Sequence, residues 1–328
     1  YAFLNGISLK DPAPSSDNLY HYLFIFFQMT FATITVALMV GAFIERMKFS
    51  SWIVISVLWA TFVYFPVAHW IWGGGFLSNM GTLDFAGGLV VHETSGLGAL
   101  VGAILLGRRR EATILPSNLA LVAIGTGLLW FGWFGFNGGS ALGISEVAIS
   151  AAFGSSIAAL TGGLTWMALE WIKYRKPTSL GMFTGIIAGL ATITPAAGFV
   201  DINASIVIGF LGAVVCFIAV VYVKATFKYD DALDVFGVHG VGGMLGAILL
   251  AVFAKKEIGD VSGIIEGSFS QLLPQILGII IVGIYTIVIS FIIFKLVDML
   301  MGLRVSKGDE IEGLDDVIHG EKVMNETI

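Results

Sequence analysis

A single cysteine, Cys216, occurs in 328 residues. That excludes an intrachain disulfide and any thiolate metal site. Cys216 lies inside an apolar run, where a small buried thiol is the plain reading. Charge is scarce as well: Asp, Glu, Lys and Arg make up 12% of the chain, against about a quarter in a soluble domain. Hydrophobic residues make up 57%, and the mean hydropathy is +0.91. A deficit of this size means that much of the surface faces lipid. The net charge of −6 is spread thinly over many loops and gives no support for nucleic-acid binding. The amphipathic alternation over about ten residues that marks a transmembrane β-barrel is absent. So are an acid–base–nucleophile cluster and any metal-ligand spacing, so neither an enzyme nor a cofactor is expected. No charged segment with a small-residue cleavage site precedes the first apolar run, so no signal peptide is expected. A chain opening on Tyr1 reads as a fragment.

What is present is a series of long apolar runs. A helix crossing the hydrocarbon core needs about 20 mainly apolar residues. Nine such runs are predicted, near 22–44, 51–72, 86–107, 118–139, 146–171, 179–200, 204–223, 235–254 and 271–301. The expected organisation is a membrane domain over 1–301 and a polar tail over 302–328. Basic residues set the orientation. Arg46, Lys48, Arg108, Arg109, Arg110, Lys173, Arg175, Lys176, Lys224, Lys228, Lys295, Arg304, Lys307 and Lys322 fall on one side. Only Lys10, Lys255 and Lys256, out of 17 in all, fall on the other. The amino end is therefore expected outside and the carboxyl tail in the cytoplasm. The 42 glycines suit helices that approach closely in lipid, and Gly237, Gly240, Gly242 and Gly243 are expected to form one flat seam.

Ionisable groups inside a span are costly and by default mark a pathway. His92, in GGLVVHETSG, and His239, in DVFGVHGVGG, are the leading candidates. Each follows a Leu-Asp pair, Leu83-Asp84 and Leu233-Asp234, and each run later reads Gly-Ala-Ile-Leu-Leu, although the spacings differ by three residues. Their helices run in opposite directions, as an inverted-topology repeat requires. A lone membrane histidine is often only an interhelical hydrogen bond; two in matching contexts argue for more. Phe24, Phe27 and Phe31 share one helical face, and Trp133, Phe136 and Ser140 repeat the spacing on the fourth run. Such stripes are more often packing than passage. Trp72, at the outer end of its helix, suits an aromatic belt, but an indole beside an entrance also attracts a cation. Asp84, at the head of a span, suits a helix cap. Glu93 points about 100° away from His92 around a regular helix and receives no role.

FQMTFATIT with VGAFIERMKFS, WIWGGGFLSNMGTLDFAGGLVVH, WFGFNGGSA and DVFGVHG resemble successive signatures of the ammonium transporter family, in its bacterial or archaeal branch. The tail strings GLRV, EGLD and HGE, within 302–321, fit the same family. The resemblance runs almost end to end and implies an all-α membrane fold with an inverted repeat. It also implies eleven helices, of which nine are present and the first two missing, and a homotrimer with one passage per subunit. Carried over by motif, it implies an outer ammonium-binding vestibule of Phe31, Trp72 and Ser140, and a phenyl gate of Phe31 and Phe136. It further implies paired pore histidines, His92 and His239, with Phe27 and Trp133 on the same faces. Asp84 is implied to support the outer site structurally. Cytoplasmic regulation by a trimeric PII-family protein and a plasma (inner) membrane location also follow from it.

The mechanism so implied is capture of the cation outside, deprotonation at the gate, ammonia conduction past the histidines, and proton transfer through them. The alternatives are a Rhesus-type ammonia or carbon dioxide channel, which Trp72-Gly-Gly-Gly and the tail motifs disfavour, and the ammonium sensor of a signalling protein.

Overall fold

The computed structural model describes residues 2–14, 16–110, 116 and 118–321; Lys322 and the end of the expected tail lie outside the described residues. A short antiparallel hairpin, β1 (Pro12–Ala13) and β2 (Ser16–Tyr20), precedes the helices. Among the described residues nine long helical segments follow, each on one of the nine apolar runs. They are α1 (His21–Val40), α2 (Phe49–Trp59, continued by Ala60–Tyr64 and Phe65–Trp72), α3 (Gly88–Leu106), α4 (Leu119–Gly138) and α5 (Glu146–Tyr174). Then come α6 (Ser179–Ile193), α7 (Ile202–Phe227), α8 (Phe236–Phe253) and α9 (Leu272–Met301).

Among the described residues, 8 helices are long and apolar enough to cross a membrane. The ninth, α6, is shorter than its predicted run over 179–200: helix stops after 15 residues. Pro195, two residues on, lacks an N–H, and its carbonyl accepts from Phe85 N–H at 3.0 Å. Polar residues mark where several helices begin. Asn118, Ser145, Thr178 and Asp201 accept from first-turn N–H groups of α4, α5, α6 and α7.

The distribution of burial shows which helices are central. In α3, 83% of the most apolar window is buried and in α8 61%, against 11–39% for the other six. These are the helices carrying the two histidines. They cross where neither backbone bears a side chain: a Cβ added at Gly96 would sit 2.4 Å from Gly240 Cα, and one at Gly243 would sit 2.3 Å from Gly88 O. The expected single glycine seam on α8 is therefore corrected. Gly240 and Gly243 face α3, whereas Gly237 faces Val220 and Gly242 faces Thr192 and Cys216. Successive residues turn about 100° around a helix, so four glycines in seven positions serve more than one neighbour.

At the end where α1, α3, α7 and α9 finish, the basic loop residues are bound into an ionic cluster. Arg46, fully buried, pairs with Asp230 at 3.1 Å and donates to Gly107 O at 2.8 Å and to Ala42 O. Arg109 holds the other side of Asp230 at 2.6 Å. Arg304 pairs with Glu310 at 2.8 Å and donates to Leu106 O and Arg108 O. Burial alone would raise the Asp230 carboxyl, but hydrogen bonds from Arg109 and the charges of Arg109 and Arg46 hold it at about 2. Asp231 next to it is pushed up to about 6, chiefly by burial.

Candidate functional site

Two turns of unusual geometry place the histidines. His92 lies in the π-helical Gly88–Glu93 that opens α3, and His239 in the π-helical Phe236–Gly240 that opens α8. A π turn widens the helix and re-aims its side chains, and such turns gather at functional sites. The two rings meet at the helix crossing, with their Nδ1 atoms 3.2 Å apart and ring centroids at 5.1 Å. One Nδ1 must carry the shared proton and the other accept it.

Each turn is capped by a carboxylate eight residues before its histidine. Asp84 accepts from the N–H groups of Gly87, Gly88, Leu89 and Val90 at 2.6–3.0 Å. Asp231 accepts from Phe236 N–H at 2.8 Å. The structural counterpart of Asp84 is therefore Asp231, and the matching of Asp84 with Asp234 is corrected. Asp234 instead pairs with Lys224 at 2.6 Å. Eight residues in both halves makes the carboxylate-to-histidine spacing equal, while the spacing from histidine to Gly-Ala-Ile-Leu-Leu still differs by three residues.

From the histidines a line of aromatic rings leads to the opposite end of the molecule. His92 stacks on Phe136 at 5.7 Å with 9° between planes, and Trp133 stacks on both, at 5.7 Å from His92 and 5.2 Å from Phe136. Phe136 meets Phe31 at 4.7 Å, and Phe31 meets Trp72 edge-on at 5.7 Å and Phe27 at 4.8 Å. Phe31, 3% exposed, lies between Phe136 and Trp72 in this line.

Beyond Phe31 opens a cavity of about 250 Å³ lined by Phe27, Gln28, Phe31, Ile71, Trp72, Phe85, Ser140 and Leu142. Ser140 donates its hydroxyl to Phe136 O at 2.7 Å, which leaves its oxygen free to accept. Asp84 does not line this cavity. Its carbonyl fixes Trp72 by accepting from the indole Nε1–H at 2.7 Å.

The structure thus joins Phe27, Phe31, Trp72, Trp133, Phe136, Ser140, His92 and His239 in one contiguous array, with Asp84 behind it. Gln28, Ile71, Phe85 and Leu142 were not singled out by sequence. Gln28 sits beside Phe27 in the phenylalanine stripe and Phe85 beside Asp84, and adjacency was the signal available. Leu142 comes from a turn whose backbone has φ of 54°, which no local pattern announces. Glu93 faces neither cavity nor ring line and packs against α9.

The chain matches the sequence model of the Ammonium Transporter Family over residues 2–324. It is 52% identical to an ammonium transporter of Aquifex aeolicus (strain VF5), over 92% of this chain and 71% of that one. With an ammonium transporter of Bacillus subtilis (strain 168) the identity is 46%, over 100% and 82%. The crystal structure of Saccharomyces cerevisiae Mep2 is similar at a TM-score of 0.83 and 38% identity, over 90% of this chain and 69% of that one. A protein named Sensor Amt Protein is similar at 0.85 and 31%, over 91% and 77%. Signatures, spans, fold and relatives agree: this chain is a multi-pass membrane protein and belongs to the ammonium transporter family, a family of transporters rather than enzymes.

Proposed function

We propose that this transporter strips ammonium of a proton before letting it through. The observation that carries the reading is the unbroken line Trp72–Phe31–Phe136–His92–His239, which offers rings and imidazoles where a bare cation would need oxygen ligands. Potassium resembles ammonium in size and charge, and a carbonyl-lined filter would pass it by replacing its hydration shell. Here a desolvated cation meets a slot that solvates it poorly, at a cost of many kcal/mol. Ammonium alone can escape that cost, because it can leave as ammonia.

The cation is held outside by the faces of Trp72 and Phe31, worth about 0.5–2 kcal/mol, and donates an N–H to Ser140 Oγ. Its proton is lost at the Phe31/Phe136 gate. Ammonia moves past Phe27, Trp133 and the histidine pair, and the proton follows through the coupled imidazoles. Asp84 holds Trp72 and the head of α3 in place. The imbalance of basic residues supports an outer amino end and a cytoplasmic carboxyl tail, and the family resemblance a plasma membrane location. The family resemblance supports a homotrimer and a PII-type partner on the cytoplasmic face.

The test is current in proteoliposomes holding the full-length protein, with ammonium, methylammonium and potassium. Replacing both His92 and His239 by Ala is expected to weaken selection against potassium; unchanged selectivity sinks the role given to them. The likeness to a protein named as a sensor favours a second reading, ammonium sensing, and a wild-type protein that binds ammonium yet carries no current would select it.

A further inference from the structure

Glu93 has no place in the line of rings, yet it is fully buried, and neither carboxylate oxygen has a hydrogen-bond partner among the described residues. It turns toward α9, where the absence of a side chain makes room: a Cβ added at Gly283 would lie 3.0 Å from Glu93 Oε1. One turn along α9 stands Thr286, also fully buried, its hydroxyl likewise without a partner. Other buried threonines of this chain, such as Thr35, Thr94, Thr192 and Thr194, give their hydroxyl proton to a carbonyl of their own helix. Thr286 keeps its proton uncommitted, on the helical face it shares with Gly283. A carboxyl group, a gap made by glycine and a free hydroxyl are thus gathered on the α9 side of α3, one residue from His92.

A hard cation such as calcium takes six or more oxygen ligands, and the three oxygens of Glu93 and Thr286 do not replace its water. They do suffice for a proton. We propose that Glu93 is a proton-titrating residue of this transporter, the negative counter-charge to a proton on the His92–His239 pair. The proposal rests on the proton-transfer reading above. The proton that ammonium gives up at the Phe31/Phe136 gate passes to the neutral pair, leaving ammonia and an imidazolium; the imidazolium and the Glu93 carboxylate then share that one proton, and the carboxylic acid returns it through the pair to ammonia on the inner side. With Glu93 ionised, the loaded pair and the carboxylate together carry no net charge, which favours loading at membrane depth. Thr286 donates to the carboxylate in that state and accepts from the acid in the other. The remaining titratable groups nearby are few. Asp84 is held by four N–H groups, Tyr285 of α9 donates away to Phe62 O, and α8 contributes His239 alone. On α1 the titratable groups are His21 and Tyr22, both in its first turn.

The experiment compares full-length wild type with Glu93→Gln and Thr286→Val in proteoliposomes, reading ammonium-driven current and internal alkalinisation between about pH 5 and 8, where imidazole titrates. Glu93→Gln is expected to lower the charge moved per ammonia delivered by about tenfold, the equivalent of one pKa unit. Thr286→Val is expected to shift the pH profile without abolishing current. In infrared difference spectra, ammonium but not potassium should change a carboxyl C=O band that shifts in deuterium oxide and is missing in Glu93→Gln. A wild-type ratio and pH profile in both variants, equal loss of charge and ammonia movement, or a carboxyl band indifferent to ammonium would each overturn the proposal. If the infrared band is silent while the histidine variants still lose selectivity, only the assignment of Glu93 fails. If the histidine variants stay selective, the underlying reading fails first.

Discussion

The indole of Trp72 donates to the backbone carbonyl of Asp84 at 2.7 Å, while the Asp84 carboxylate accepts four N–H groups from the head of α3. One residue therefore ties the Trp72 cavity to the helix that carries His92. Removing the carboxylate strands buried donors, at about 1–3 kcal/mol for each left unpaired. Asp84→Ala is expected to lower stability by at least about 3 kcal/mol on that scale, with Asp84→Asn in between. Thermal unfolding in detergent checks the order, and Asp84→Asn above wild type would count against it.

In the proposed mechanism Trp72 acts on capture rather than passage. Trp72→Leu removes a cation–π face worth about 0.5–2 kcal/mol, so half-saturation should rise by about two- to thirtyfold. Maximal current should change much less. Concentration dependence in proteoliposomes decides, and an unaltered half-saturation excludes the vestibule role.

The crossing of α3 and α8 leaves no room for a methyl group. Gly96→Ala places a Cβ 2.4 Å from Gly240 Cα, backbone that cannot swing aside. Overpacking of this kind costs about 1–3 kcal/mol or more. It also pushes apart the two histidine-bearing turns, so current should fall together with melting temperature. Gly127→Ala, with open space around its Cβ, is the control and should leave both near wild type.

The ionic cluster gives a pH dependence with two opposed parts. The Asp230 carboxyl is held at about 2 in the fold, below the ordinary aspartate value of 3.8. Its contribution is present above 3.8 and is lost as pH falls toward 2. Asp231, at about 6 in the fold, binds its proton more readily folded than unfolded, so its effect runs the other way: stability rises as pH falls from above 6 toward 3.8. Melting temperature in detergent should therefore pass through a maximum near pH 4. Asp231→Asn should flatten the limb above the maximum and Asp230→Asn the limb below it. A single monotonic curve in all three proteins would refute the assignment.

The sequence by itself determined what short-range patterns encode. Apolar runs of about 20 residues can be satisfied only by spanning helices, because lipid supplies no partner for exposed backbone. Charged loops gather at one end for a related reason, and His92 and His239 stood out because an ionisable group in such a run is costly. Each aromatic in the array was legible through helical spacing or motif. Tertiary structure alone decided what depends on residues far apart in the chain. It made Asp231 rather than Asp234 the partner of Asp84 in the repeat, because the match is one of capping geometry and not of neighbouring letters. It ended α6 at Ile193, where the carbonyl of Pro195 serves Phe85 more than a hundred residues earlier. It also gave Glu93 its surroundings. Whether a carboxyl group meets lipid, solvent or a glycine of α9 depends on which helix packs beside it, and no local pattern carries that information.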